Sequence, residues 1–265
     1  MNIRKRGLRS QPKMRNQNKI ICWFSCGAAS AVATKLTIQK YKDREIDIVY
    51  CQTGAEHADN HRFLQQCEQW FGKKVTEIKS DEYKDTWDVW EKTRWLAGIN
   101  GARCTTELKV SPRLAYQKPT DSHVFGYTND KSDVSRAERL RDNYPELDVI
   151  TPLIDNRLDK SNCLSIISSA GIDVPVMYGL GFQNNNCIPC VKATSASYWA
   201  LIRKEFPDEF NRMVSLSRDL NVRLCRVKGE RKFIDEIPLD HPVTNPIAPA
   251  CDFLCHLIEG EITDQ

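Results

Sequence analysis

No stretch of the 265-residue chain approaches the roughly 18–20 consecutive apolar residues that cross a bilayer, so a helical membrane span is excluded. The first nineteen residues, "MNIRKRGLRSQPKMRNQNK", lack the apolar centre of a secretory signal. The expectation is a soluble, cytoplasmic protein with no membrane partner. Net charge is also scarce: 38 Lys and Arg against 35 Asp and Glu leave +3. The chain is therefore no polycation, and any affinity for nucleic acid has to be local. Much of the excess sits in residues 1–18, expected to be a flexible basic tail, either plainly solvated or an arm that touches RNA or DNA. Internal repeats and low-complexity segments are missing too, which excludes solenoids.

Cysteine, in contrast, is plentiful. Eleven are present, an odd number with no signal peptide, which argues against a disulfide framework and for reduced thiols. Cys22, Cys51 and Cys67 lie in apolar or helical stretches, and core packing explains them. Cys104, Cys187, Cys190, Cys251 and Cys255 lie in turn-like contexts, where metal ligation or catalysis is the alternative to packing.

Hydrophobic periodicity organises the first 155 residues. "KIICWFS" (19–25), "IDIVYCQTG" (46–54), "KVTEIKS" (74–80), "SHVFGYT" (122–128) and "DVITPLI" (148–154) are strand-like; the second is a continuous apolar run suited to burial on both faces. Helical patterns fall between them at 30–42, 59–72 and 133–144, with Asp59 as N-cap and Gly72 as C-cap of the second. Such alternation predicts an α/β fold with an open, doubly wound, mainly parallel sheet over 19–155. Residues 156–265 differ: helical patterns at 161–172 and 195–220 flank the polar turn "NNNCIPCVKA", predicting a helical, cysteine-containing extension.

In open α/β sheets, ligands bind where the loop after the first strand meets a helix N-terminus. "FSCGAAS" holds that place, yet it has neither the Gly-Lys-Ser/Thr of a Walker A loop nor a GxGxxG fingerprint. Ser25, Gly27, Ala28 and Ser30 offer close backbone approach and hydroxyl groups, which suit a phosphate chain. They equally suit a tight strand–helix crossover packed with small residues. "GARCTTELKVSPRLAY" sets Arg103, Lys109 and Arg113 around Cys104. If the segment from 105 to 116 is helical, Lys109 and Arg113 share a face and suit a phosphate or sulfate. Lys131, Arg136 and Arg139 follow the fourth strand and can converge on the same crevice. "CIPC" at 187–190 is a metal-binding or redox pair; its position late in the chain, after an asparagine run, speaks against a thioredoxin-like role.

Four stretches occur in a telling order. "FSCGAASA" resembles the S-G-G-x-D-S pyrophosphatase loop of the adenine-nucleotide α-hydrolase superfamily. "VYCQTGAEHADNHRFL", "GARCTTELKVSP", "VFGYTNDKSDVSRAERL" and "NNNCIPCVKA" then follow as in its phosphoadenosine-phosphosulfate-reductase-like branch, over about residues 19–240. Cys26 stands where the first Gly of that loop is usual, and Ala29 where the Asp associated with Mg-ATP is usual.

The resemblance implies ATP or a related adenylyl nucleotide across the strand ends, with Mg2+ as a companion. Ser25, Gly27, Ala28 and Ser30 would hold phosphates. Thr53, Gly54 and Glu56 would lie near the adenosine, and Gly126 and Arg136 would complete the site. Arg103 and Lys109 would act in catalysis. Relatives with a [4Fe-4S] cluster carry a cysteine in the "RC" motif and a downstream CxxC, which maps to Cys104, Cys187 and Cys190; Cys225, Cys251 and Cys255 are candidates for the fourth ligand, and zinc is the alternative metal. The implied activity is cleavage of ATP at the α-phosphate to activate an acceptor, nucleic acid among the candidates, for sulfur transfer. Two alternatives stand beside it. One is a sulfonucleotide reductase using Cys255 or Cys251, although the E-C-G-L-H tail of those enzymes is missing. The other is a non-catalytic nucleotide- or nucleic-acid-binding protein with structural zinc.

Overall fold

The computed structural model describes residues 18–98, 101–246 and 248. The basic segment 1–17 and the residues Cys251, Cys255 and His256 lie outside them.

The first half alternates as its periodicity predicts: β1 (Ile20–Trp23), α1 (Ala28–Lys40), β2 (Ile46–Cys51), α2 (Asn60–Phe71) and β3 (Val75–Ile78), followed by α3 (Thr86–Thr93). A short α4 (Arg103–Thr105), a π-helical turn (Thr106–Val110) and α5 (Ser111–Tyr116) form one helical path that leads to β4 (Ser122–Val124), α6 (Lys131–Asn143) and β5 (Asp148–Ile150). Four helices follow: α7 (Pro152–Asp155), α8 (Lys160–Ser169), α9 (Val176–Gly179) and α10 (Ala196–Glu205). α11 (Pro207–Asp219), the hairpin of β6 (Cys225–Val227) and β7 (Glu230–Lys232), and a 3-10 turn (Ile234–Glu236) complete the described elements.

The five strands of the main sheet run parallel in the order β3-β2-β1-β4-β5. The chain winds outward from β1 to β3, then returns to the other side of β1 for β4 and β5, so the winding reverses between β1 and β4. One face packs Ile20, Cys22, Ile48 and Tyr50 against α1, α2 and α8. Trp23 and Val149, on the opposite face, pack with Ala137 and Leu140 of α6. The fold is the expected open, doubly wound α/β sheet.

A second core brings Trp87, Val89 and Trp90 of α3 and Leu108 together with Trp199, Ile202, Phe210, Met213 and Cys225. Chain order and core membership therefore interleave: α8 joins the sheet's core, while Trp87, Val89, Trp90, Leu96, Ala102 and Leu108 join the core of the later helices.

Three local differences from the sequence reading have direct causes. The helical stretch expected over 195–220 divides at Phe206 (φ −136°, ψ 64°), because Pro207 lacks an N–H and crowds the preceding residue out of helical geometry. Lys228 and Gly229, both at positive φ, make the two-residue turn of the β6–β7 hairpin, which periodicity alone did not reveal. Asp59 precedes α2 without capping it. Its carboxylate instead accepts from Arg62 Nε at 2.6 Å and from the Val176 N–H at 2.9 Å, joining α2 to α9. Gly72 closes α2 at φ 68°, as expected.

At the reversal point, β4 comes so close to α1 that only glycine fits. A Cβ on Gly126 would lie 2.7 Å from the Ser30 nitrogen and 2.8 Å from its Cα. Beside it, His123 is 1% exposed, stacks on Trp23 and accepts a 3.2 Å hydrogen bond from Trp23 Nε1 at Nδ1. Burial, and secondarily the charge of Arg113, hold its pKa at about 4 against the usual 6.5.

Two predictions follow from this packing. Gly126→Ala should cost about 2 kcal/mol in chemical denaturation through overpacking against backbone; an unchanged midpoint would refute the close approach. Because native His123 stays neutral down to about pH 4, only the unfolded chain gains its proton as pH falls below 6.5. Stability should therefore drop by about 3 kcal/mol between pH 6.5 and 4 from this residue. A His123→Gln variant should lack that component of the pH slope, and an identical slope in both proteins would sink the assignment.

Candidate functional site

A crevice of about 600 Å³ opens at the carboxyl ends of β1, β2 and β4, beside the point where the winding reverses. This is where open parallel sheets place their ligands. The floor is the β1–α1 loop. Cys26 adopts φ 55°, a left-handed conformation unfavourable for a side-chain-bearing residue, and is fully buried. Burial pushes its thiol well above the ordinary range, so Cys26 packs rather than reacts.

The loop is closed by its own serines. Ser30 Oγ accepts from the Ser25 N–H and from Ser25 Oγ, both at 3.1 Å, and donates to the Gly27 carbonyl at 3.0 Å. The serines expected to face a phosphate are thus engaged with one another. The remaining anion-binding potential lies in the N–H groups of the first turn of α1. Gly27, Ala29 and Ser30 line the crevice. Ala28 is fully buried, and its N–H donates to the Tyr178 hydroxyl at 3.3 Å.

Cations form one wall. Lys109 and Arg113 both line the crevice, but the π-helical turn intervenes where a regular helix was expected. Such turns re-aim side chains at functional positions. Arg136 lines it too, held by Asp133 at 2.6 Å with its guanidinium over the Tyr127 ring. Asp133 in turn accepts from the Thr128 N–H and hydroxyl at 3.0 and 2.9 Å. Arg103 is placed elsewhere: it pairs with Glu107 at 2.7 Å and is not among the lining residues.

Tyr50, Glu56 and Cys187 also line the crevice. Glu56 Oε1 accepts from the Thr53 N–H at 3.0 Å and from its hydroxyl at 2.5 Å. Thr53 is 2% exposed and stands behind Glu56. Gly54, at φ 67°, makes the turn beside α3, where a Cβ would strike Asp85 Cβ at 2.7 Å. Gly126 lines the crevice at the tip of β4.

Of the cysteines expected to bind metal, Cys187 faces the crevice with Sγ 2.9 Å from Thr53 Oγ1. Cys190 is buried, and its N–H donates to the Tyr198 hydroxyl at 2.7 Å. Cys104 is the middle residue of α4 and packs against the second core. Among the described residues, no group of three or more His, Cys, Asp or Glu could hold a metal ion. Cys255 lies outside those residues. The described donor set therefore does not by itself fit an iron–sulfur cluster or zinc.

Lys160, Tyr178 and Asn185 are among the lining residues that motif reading does not single out. Lys160 opens α8, Tyr178 belongs to α9, and Asn185 precedes the cysteine pair. Asn185 Nδ2 donates to the Cys26 carbonyl at 2.6 Å and to Asn60 Oδ1 at 2.7 Å. The asparagine run "NNN" was the available signal, since consecutive amides in a turn imply backbone carbonyls to satisfy.

No family model matches the chain, and no curated protein does. Among solved structures it is similar to the phosphoadenylyl-sulfate (PAPS) reductase from Candida auris in a phosphate complex. The identity is 13%, covering 63% of this chain and 80% of that one, with a TM-score of 0.44. It is also similar to the U34-tRNA thiolase NcsA from Methanococcus maripaludis with its [4Fe-4S] cluster, at 16% identity, 91% and 82% coverage and a TM-score of 0.45. At these scores neither likeness carries weight for the chemistry, which rests on the crevice itself.

Proposed function

We propose that the crevice binds ATP or a related adenylyl nucleotide, and that the chain is an enzyme of the phosphoadenosine-phosphosulfate-reductase-like branch that activates an acceptor for sulfur transfer. One observation carries the nucleotide reading: the N-terminus of α1 and the cations Lys109, Arg113 and Arg136 face one cavity at the sheet's reversal point. Its volume of about 600 Å³ suits a ligand of nucleotide size. The sulfur half of the reading is supported by the motif resemblance and by the thiol of Cys187 in the crevice wall. A nucleic acid is the acceptor class we favour.

In this reading the first-turn N–H groups of α1 fix the phosphate chain, and Arg113 and Lys109 hold its oxygens from the side. When the acceptor attacks the α-phosphate, negative charge builds on the departing pyrophosphate. Fixed cations and N–H dipoles stabilise that charge without reorganising. Ala29 stands where relatives place an acid, so this chain's own share of the work is positioning and neutralisation by Lys and Arg. Any Mg2+ enters with the nucleotide as part of the substrate.

Calorimetric titration with ATP tests the reading. Lys109→Ala should weaken binding about tenfold or more, the effect of losing one charge-assisted phosphate contact. Lys92→Ala, which removes an exposed partner of Asp88, should leave binding unchanged. Absence of ATP binding at millimolar concentration would refute the reading. Binding without release of AMP or pyrophosphate in the presence of tRNA or DNA would favour the non-catalytic alternative.

A further inference from the structure

Lys160 is a half-buried lysine at the crevice wall, at the first position of α8. Its ammonium donates to the backbone carbonyl of Gln183 and to Asn184 Oδ1, both neutral oxygens. It forms no ion pair among the described residues; Asp130 and Asp133 act on it only through longer-range attraction. Desolvation holds its pKa below the ordinary lysine range. A cation removed from water is normally matched by an anion, and among the described residues none lies within ion-pair distance of this one.

The position of the ammonium says where that charge belongs. Nζ stands 5.8 Å from the centre of the Tyr178 ring, whose hydroxyl takes the Ala28 N–H at the start of α1. Lys160 thus stands beside the residue that meets the helix N-terminus, and Lys109 and Arg113 line the same crevice. Gln183 and Asn184, which hold its ammonium, also line the crevice.

We infer that Lys160 is the counter-charge for the outer phosphates of the bound nucleotide, so that the site selects a di- or triphosphate over a monophosphate. This assignment rests on the nucleotide reading of the crevice and adds a specificity residue to it. A purely structural Lys160 would only tie α8 to the 183–184 turn, and its loss would affect all ligands alike.

Titration of wild type, Lys160→Met and Lys160→Arg with AMP, ADP, ATP and inorganic pyrophosphate separates these cases. Lys160→Met should weaken ATP and pyrophosphate about tenfold or more while leaving AMP within about twofold, and Lys160→Arg should restore part of the ATP preference. Equal losses for AMP and ATP, or no loss at all, would overturn the assignment. Should Lys160→Met fail to fold, acylation of wild type by acetic anhydride replaces it. Pyrophosphate, but not AMP, should then protect Lys160 in the mass spectrum, and equal labelling in both cases overturns the assignment. A wild type that binds none of the four ligands overturns the nucleotide reading itself, an outcome distinct from the variant pattern.

Discussion

The hydrogen bond from Asn185 to the carbonyl of Cys26 is the contact on which the crevice depends. Turning Cys26 into left-handed backbone costs about 1 kcal/mol or more and swings its carbonyl out of any helix or strand ladder. The Asn185 amide takes that carbonyl at 2.6 Å and reaches Asn60 at the start of α2 with the same nitrogen. The β1–α1 loop, α2 and the later part of the chain are thereby fastened at one point. With the loop fixed there, Ser25 and Ser30 can close on each other, and the first turn of α1 stays free of side-chain caps of its own.

Around that fixed floor the electrostatics are arranged by second contacts. Asp133 orients Arg136 while binding Thr128, and Glu56 is held by both the N–H and the hydroxyl of Thr53. Charges held by such networks lose little freedom when a ligand arrives, which is the condition for strong electrostatic binding. The π-helical turn contributes in the same way, since Lys109 lies within it and needs no loop to reach the crevice.

The sheet was legible because its signals are local. "IICW" and, apart from Asp47, "IDIVYC" are apolar without alternation, as strands covered on both faces tend to be, and Gly72 ends α2 where a left-handed residue is required. The β1–α1 loop, Glu56, Gly126 and Arg136 are legible as candidates from their place after strands, and Lys109 from the basic cluster around Cys104; all of them line the crevice. Thr53, Gly54 and Ala28 belong to the same turns but support the crevice from behind. Asn185 is announced only by its asparagine run, while nothing near Lys160 and Tyr178 in sequence announces their destination: Tyr178 and Asn185 meet residues more than a hundred positions away, and Lys160 faces a cavity formed elsewhere. Arg103 neighbours Cys104 in sequence, but its i,i+4 partner Glu107 in the π-helical turn holds it away from the crevice lining.

The interleaving of the two cores bears on how the chain is made. Trp87 and Trp90 leave the ribosome more than a hundred residues before Trp199, Phe210 and Met213, with which they finally pack. The sheet likewise lacks the cover of α8 until residue 169 has been synthesised. A nascent chain of about half length therefore carries large aromatic surface with no native partner, the kind of intermediate that chaperones retain.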